Sequence, residues 1–299
     1  MPNFATTLED RYPSRLESTS RLIERRDPVV YGRNPGPLNE EQIQSFSRDG
    51  FIQMRGVLGP SEVEAVHREL GEMIARPQVR RDKRTIVEQS GNEVRSIFQV
   101  HQTSRLIARL AADERIAGTA RQILGSDVYL HQSRVNFKPA FEGNDFSWHS
   151  DFETWHTEDG MPAIRAVSFS ISLTENRSYN GPLLLIPGSH RIYVTCVGET
   201  PEDNYRSSLQ FQRLGVPEKE HLRTLYQKAG RRIEVCTGEP GDMTVFDCNT
   251  MHASPSNVSP LPRSNVFLVY NSVENLPVEP FAAPERRPDY LAGRDFTPI

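Results

Sequence analysis

The segment SWHSDFETWHTEDG, residues 147–160, sets His149 and Asp151 two positions apart. In an extended chain side chains alternate between faces, so this imidazole and this carboxylate project the same way and can share one ion. A carboxylate with neutral imidazoles suits Fe(II), and two histidines with one carboxylate leave coordination positions open for reactants. Zinc accepts the same atoms, but a structural zinc site prefers four ligands, usually with cysteine among them. A bare His-x-Asp is common, so a third ligand has to decide the reading. His252, in DCNTMHASPSN, follows the strand-like DMTVFD and could return to the same end of a β core; taken alone, it reads equally well as a loop histidine. His101 and His156 are rivals. His156 has the wrong parity for an extended chain unless a turn near Glu153 intervenes.

Two polar rows stand out beside this segment. Gln132, Arg134 and Asn136 alternate in QSRVN, and Arg263, Asn265 and Phe267 alternate in RSNVFLV. A solvent-facing strand side is the ordinary explanation of such a row. The row opposite the first, Tyr129, His131, Ser133, Val135 and Phe137, is however no cleaner apolar face. An inward arginine could grip a carboxylate with two parallel hydrogen bonds, which lysine does less well.

These residues need a scaffold. Residues 1 to about 37 read as an extended arm or short irregular helices, broken by Pro28, Pro35, Pro37, Gly32 and Gly36. A helix is expected from Asn39, with Gln42 in capping-box position, to Gly50. FIQMRGV reads as a short strand, and Ser61 with Glu64 as the cap of a second helix carrying Val63, Val66, Leu70, Met73 and Ile74. One or two further helices fit between Ser104 and Gly125. From about 128 the pattern turns to period two in VYLHQSRVNF, IRAVSFSISL, LLLI, DMTVFD and SNVFLVYN. Too few crossover helices remain for βαβ units. The expectation is a mainly β fold with helical decoration: one domain over 1–299, with an arm to about 37, a helix-rich portion at about 38–125 and a closed or sandwiched antiparallel core at about 126–275. Residues 198–230 interrupt the strands as a polar insertion of loop or short helix, expected at the barrel mouth. Asn180-Gly181 and Pro187-Gly188 read as turns around a buried strand, with His190 hydrogen-bonded near the rim.

Composition narrows the function. A charge of −4, from 35 basic and 39 acidic residues, gives no long-range attraction for nucleic acid. The Arg25–Arg26 pair and the Arg80, Arg81, Lys83, Arg84 cluster have acidic neighbours and read as a solvated face or loop. No apolar run approaches membrane-spanning length, and the N-terminus mixes charges without an apolar segment, so neither a membrane span nor a secretory signal is expected. Cys196, Cys236 and Cys248 lack CxxC spacing and cannot all pair, which fits a cytoplasmic protein with reduced thiols.

The chain resembles the phytanoyl-CoA dioxygenase-like superfamily across most of its length. The resemblance rests on EEQIQSFSRDGFIQMRGVL, WHSD, NGPLLLIPGSH, GDMTVFDCNTMHAS and the late PRSN. Within that superfamily FSWHSDFETWHTEDGMP is similar to the signature of the ectoine hydroxylases. The resemblance implies a double-stranded β-helix (jelly roll) with a cupin-like core. It implies Fe(II) on His149, Asp151 and His252, with 2-oxoglutarate and O2 as co-substrates. It places Arg263 on the distal carboxylate of 2-oxoglutarate, with Arg134, Asn136, Phe146, Ser168 and Asn265 nearby. Around a small zwitterionic substrate, ectoine, it places Gln132, Trp155, Phe246 and Phe267; an aromatic wall suits a delocalised cation. The implied reaction couples oxidative decarboxylation to C–H hydroxylation, giving 5-hydroxyectoine, succinate and CO2. It also leaves a homodimer open. Two readings compete: the same chemistry on another small metabolite, and a jelly-roll protein that binds a metal or small ligand without catalysis.

Overall fold

The structure is a computed structural model, and it describes residues 9–88, 93–209 and 212–299. Chain order begins with β1 (Leu22–Glu24), α1 (Glu40–Asp49), β2 (Phe51–Met54), α2 (Pro60–Ile74), β3 (Thr85–Val87), β4 (Val94–Phe98), α3 (Arg105–Ala111) and α4 (Thr119–Leu124). It continues with β5 (Val128–Lys138), β6 (Phe146–His149), α5 (Asp151–Asp159), β7 (Ala166–Ser172), β8 (Leu183–Leu185) and β9 (Ile192–Val194). The last elements are α6 (Asn204–Ser208), α7 (Lys219–Lys228), β10 (Glu234–Cys236), β11 (Met243–Asp247), β12 (His252–Ser254) and β13 (Arg263–Ser272). Among the described residues no helix is long and apolar enough to cross a membrane.

The helices form where the sequence marks them, with one shift. In α1, Asn39 and Gln42 close the expected capping box, and Gly50 ends the helix in the left-handed conformation. A side chain at Gly50 would also meet the His190 ring at 2.4 Å, so the position is closed to other residues twice over. By contrast, α2 opens at Pro60 rather than after Ser61. Proline's fixed φ suits the first helical position, and the Glu62 carboxylate reaches back to the Gly59 N–H at 2.8 Å. The expected Ser61–Glu64 cap is thus already inside the first turn. Val63, Val66, Leu70 and Met73 are buried, as their spacing requires.

Two antiparallel sheets carry the site. One runs β2-β11-β7-β13-β5-β4-β3 and the other β10-β8-β12-β6. Residues of α1 to α4 pack on the outer face of the larger sheet, where Phe46, Val66, Leu70, Ile107 and Ile123 join Val135, Phe169, Val266 and Leu268. Between the sheets, Leu183, Leu185 and Cys236 meet Phe246 and Phe267. This is the jelly roll expected from the sequence.

Three local expectations give way. First, β5 does not alternate evenly: Val269 of β13 pairs with Gln132 and Tyr270 with Leu130, so His131 is an extra residue in a β-bulge. Tyr129 and His131 therefore face the same side as Gln132, Arg134 and Asn136, while Leu130 and Val135 face the helices. Second, the N-terminal arm is built into the fold. The strand β1 pairs with β9, and Arg15 is buried against Glu153 and Glu158. Third, Arg25 belongs to no solvated patch. Its guanidinium is buried and sits 2.7 Å from Asp247 at the end of β11. The cysteines are all free and buried.

Candidate active site

His149 ends β6, and His252 opens the antiparallel β12 directly opposite it. Asp151 is not part of the same extended run: Ser150 turns the chain, and Asp151 is the first residue of α5. The three still converge. Asp151 Oδ1 lies 3.7 Å from His149 Nε2 and 3.8 Å from His252 Nε2. Potential ligand atoms of the three residues all fall within 4.8 Å of one another.

The surroundings prepare these atoms for a cation. His149 Nδ1 is 2.7 Å from the Ser147 carbonyl and His252 Nδ1 is 2.9 Å from the Thr250 carbonyl. A carbonyl only accepts, so each Nδ1 carries the proton and each Nε2 keeps its lone pair free. Burial pushes His149 down to about 3 and keeps it neutral. Burial alone would raise Asp151, but its positive surroundings, Arg134 and Arg287 among them, outweigh it and hold the carboxyl below its usual range. Two neutral imidazoles and an ionised carboxylate are a fitting donor set for Fe(II).

The rivals lie elsewhere. His156 is on α5, so strand parity does not apply to it; its ring is bonded to Asp10 and the Met161 carbonyl and is stacked on Phe281. His101 bonds Ser133 on the outer side of β5. His190 bonds the Ser47 carbonyl, as expected for a rim residue.

One cavity opens beside the three ligands. Gln132, Arg134, Asn136, Phe146, Trp155, Arg263 and Phe267 border it, which brings together the first polar row read from the sequence and two of the three residues of the second. Arg263 is 3% exposed, and its guanidinium makes no hydrogen bond or ion pair among the described residues. Burial pushes it down to about 10. An unpaired buried cation is costly unless a ligand supplies the anion. Arg134 donates to Gln132 and stacks over Phe267, with its Nε unpaired. Asn136 accepts from Ser96. These orphaned donors fit a keto-diacid reaching from the metal to Arg263.

Three expected residues stand behind the cavity rather than on it. Ser168 Oγ lies 3.5 Å from Asp151 Oδ2. Asn265 donates to Ser170 and leaves its Oδ1 unpaired. Phe246 is fully buried, with its ring 5.1 Å from that of His252, so it backs that imidazole.

Sequence reasoning missed several bordering residues: Thr154, Glu158, Asn204, Leu214 and Arg287. Thr154 and Glu158 follow Asp151 at helical spacing, a signal available only once 151–159 is read as a helix. Arg287 comes from an irregular C-terminal stretch without a pattern. Its guanidinium grips both oxygens of Asp159. The insertion at 198–230 does reach the cavity, through Asn204 and Leu214.

Comparison with known proteins agrees with this geometry. Residues 46–265 match the family described as Phytanoyl-CoA dioxygenase (PhyH). The chain is 51% identical over 296 residues to the ectoine dioxygenase of Streptomyces avermitilis, covering 98% of this chain and 99% of that protein. With the ectoine dioxygenase of Halomonas elongata it is 53% identical over 287 residues, 95% of this chain and 86% of that one. The crystal structure of EctD from S. alaskensis with 2-oxoglutarate and 5-hydroxyectoine superposes with a TM-score of 0.86 at 44% identity, over 97% of this chain and 96% of that chain. Fold, donor set and sequence thus converge, and the chain belongs to the phytanoyl-CoA dioxygenase family, within its ectoine dioxygenase branch.

Proposed function

We propose that this protein hydroxylates ectoine to 5-hydroxyectoine, consuming O2 and 2-oxoglutarate and releasing succinate and CO2, with Fe(II) held by His149, Asp151 and His252. The observation that carries the reading is the buried guanidinium of Arg263, without a partner among the described residues, in the same cavity as the three ligands. The relatives' named substrate supports the choice of ectoine.

Bound at this site, Fe(II) supplies the oxidation, pairing decarboxylation of the keto acid with insertion of one oxygen atom into a C–H bond. The protein supplies position. The Ser147 and Thr250 carbonyls aim the two Nε2 atoms, and Ser168 steadies the Asp151 carboxylate. Arg263 anchors the distal carboxylate of 2-oxoglutarate, while Arg134, Asn136 and Phe146 line its path. Trp155 and Phe267 offer ring faces to the flat substrate, and Gln132 a polar contact. Phe246 and Asn265 act from behind, by packing His252 and by holding Ser170.

The test loads the protein with Fe(II) and 2-oxoglutarate without oxygen, then adds O2 with ectoine or other compatible solutes. Succinate release that depends on ectoine, with one oxygen gained by the product, is expected. Equal succinate with every solute would overturn the substrate assignment.

A further inference from the structure

The helix α5 turns one stripe toward the cavity: Asp151, Thr154, Trp155 and Glu158 all border it. Their i, i+3, i+4, i+7 spacing is that of a single helical face. At ~1.5 Å rise per residue, Glu158 stands about 10 Å along the axis from Asp151. The stripe therefore runs from a metal ligand, past an indole, to a second carboxylate.

That carboxylate is buried, 2% exposed, and only half used. Its Oε1 accepts from Arg15 Nη2 at 3.1 Å and from Asn204 Nδ2 at 2.8 Å. Its Oε2 accepts no hydrogen bond among the described residues. The nearby cations are shared or taken: Arg15 makes a fork with Glu153 and gives Glu158 only one Nη2 contact, and Arg287 makes a fork with Asp159. Neither guanidinium reaches Glu158 Oε2 in a hydrogen bond. Burial pushes the Glu158 carboxyl up, against the pull of Arg287 and Arg15. Burial acts on Asp159 in the same sense, yet the fork of Arg287 holds that carboxyl down. At the metal end the cations prevail. Arg134 and Arg287 act on Asp151, and Arg263 has no anion beside it among the described residues.

We propose that Glu158 Oε2 receives the cationic head of a zwitterionic substrate, so that this carboxylate selects a cyclic amidinium over neutral rings of the same shape. The substrate ring then lies along Trp155, with its own carboxylate toward the arginines. This rests on the hydroxylation reading above.

The experiment compares wild type with Glu158→Gln, which keeps the shape and removes the charge. Each is given ectoine and a neutral lactam carboxylate of equal ring size, with Fe(II) and 2-oxoglutarate present. Loss of a charge-assisted bond predicts a KM for ectoine raised about tenfold or more. The KM for 2-oxoglutarate and the handling of the lactam should stay near wild type, so the preference for the cation collapses. Glu158→Asp, which retains the charge, should keep the preference even if affinity falls, and it serves equally if the Gln variant does not fold. An unchanged preference in Glu158→Gln, or equal loss with both compounds, would overturn the assignment. Wild-type succinate release indifferent to ectoine would instead sink the hydroxylation reading, and that result is visible before any variant is made.

Discussion

His149 and His252 oppose each other directly across the β6–β12 ladder, their ring centroids 4.2 Å apart. Cross-strand neighbours on one face are the closest pairs a sheet can make. The register of two short strands therefore sets the separation of the two imidazoles proposed to hold the metal. Asp151 closes the triangle from the start of a helix, so His252→Ala and Asp151→Ala remove ligands held by different elements. Each should abolish ectoine-dependent succinate release and cut iron retention by more than the roughly 100-fold typical of an outer-shell change. Iron content after desalting is the measurement; full retention in either variant would refute that ligand.

Arg263 gives a prediction of opposite sign for binding and for stability. Arg263→Met should raise the KM for 2-oxoglutarate by roughly 10- to 100-fold, from the loss of charge-assisted bonds worth about 1.5–3 kcal/mol each. Without co-substrate the same variant should melt no lower than wild type, because it removes a buried charge without a partner. Melting with and without 2-oxoglutarate separates the two effects. An unchanged co-substrate KM would exclude Arg263 as the anchor.

His190 makes stability depend on pH. Burial pushes its imidazole from 6.5 down to about 4. Unfolded chains take up a proton below 6.5 while the native ring stays neutral until about 4. Its contribution is therefore complete above 6.5 and is lost as pH falls toward 4, by on the order of 3 kcal/mol. Urea midpoints of wild type and His190→Gln between pH 7 and 4.5 should converge as pH falls. Parallel curves would contradict this.

Arg25 ties the N-terminal arm to Asp247 and to the carbonyls of Asp27, Pro28 and Ile164. Arg25→Met would strand a buried carboxylate, at about 3–5 kcal/mol. A fall in Tm on the order of 10 °C is expected, with KM for both organic substrates little changed. A Tm within a degree or two of wild type would show that the pair contributes little.

What could be read in advance follows physical lines. Period-two alternation exposed β5 and β13, and with them Arg134 and Arg263, because half-buried strands leave that imprint. The stop at Gly50 was legible because its left-handed backbone favours one residue type. In α5 every residue but Thr154 is buried, so DFETWHTED has no amphipathic stripe and reads as extended. Arg25 looked solvated because its partner, Asp247, lies far away in sequence. Arg287 sits in an irregular segment held by tertiary contacts, where no periodicity exists to be read.

The bulge in β5 has a consequence for which residues the strand can spare. On either side of His131 the ladder with β13 is in phase, Leu130 with Tyr270 and Gln132 with Val269. Excising His131 would leave both flanks correctly oriented and the hydrogen-bonded ladder more regular than it is now. Pairing gains nothing from this residue; what it adds is an imidazole against the edge of Trp155, near Asp159. A shortened strand would be a sound sheet with a misfitting chamber.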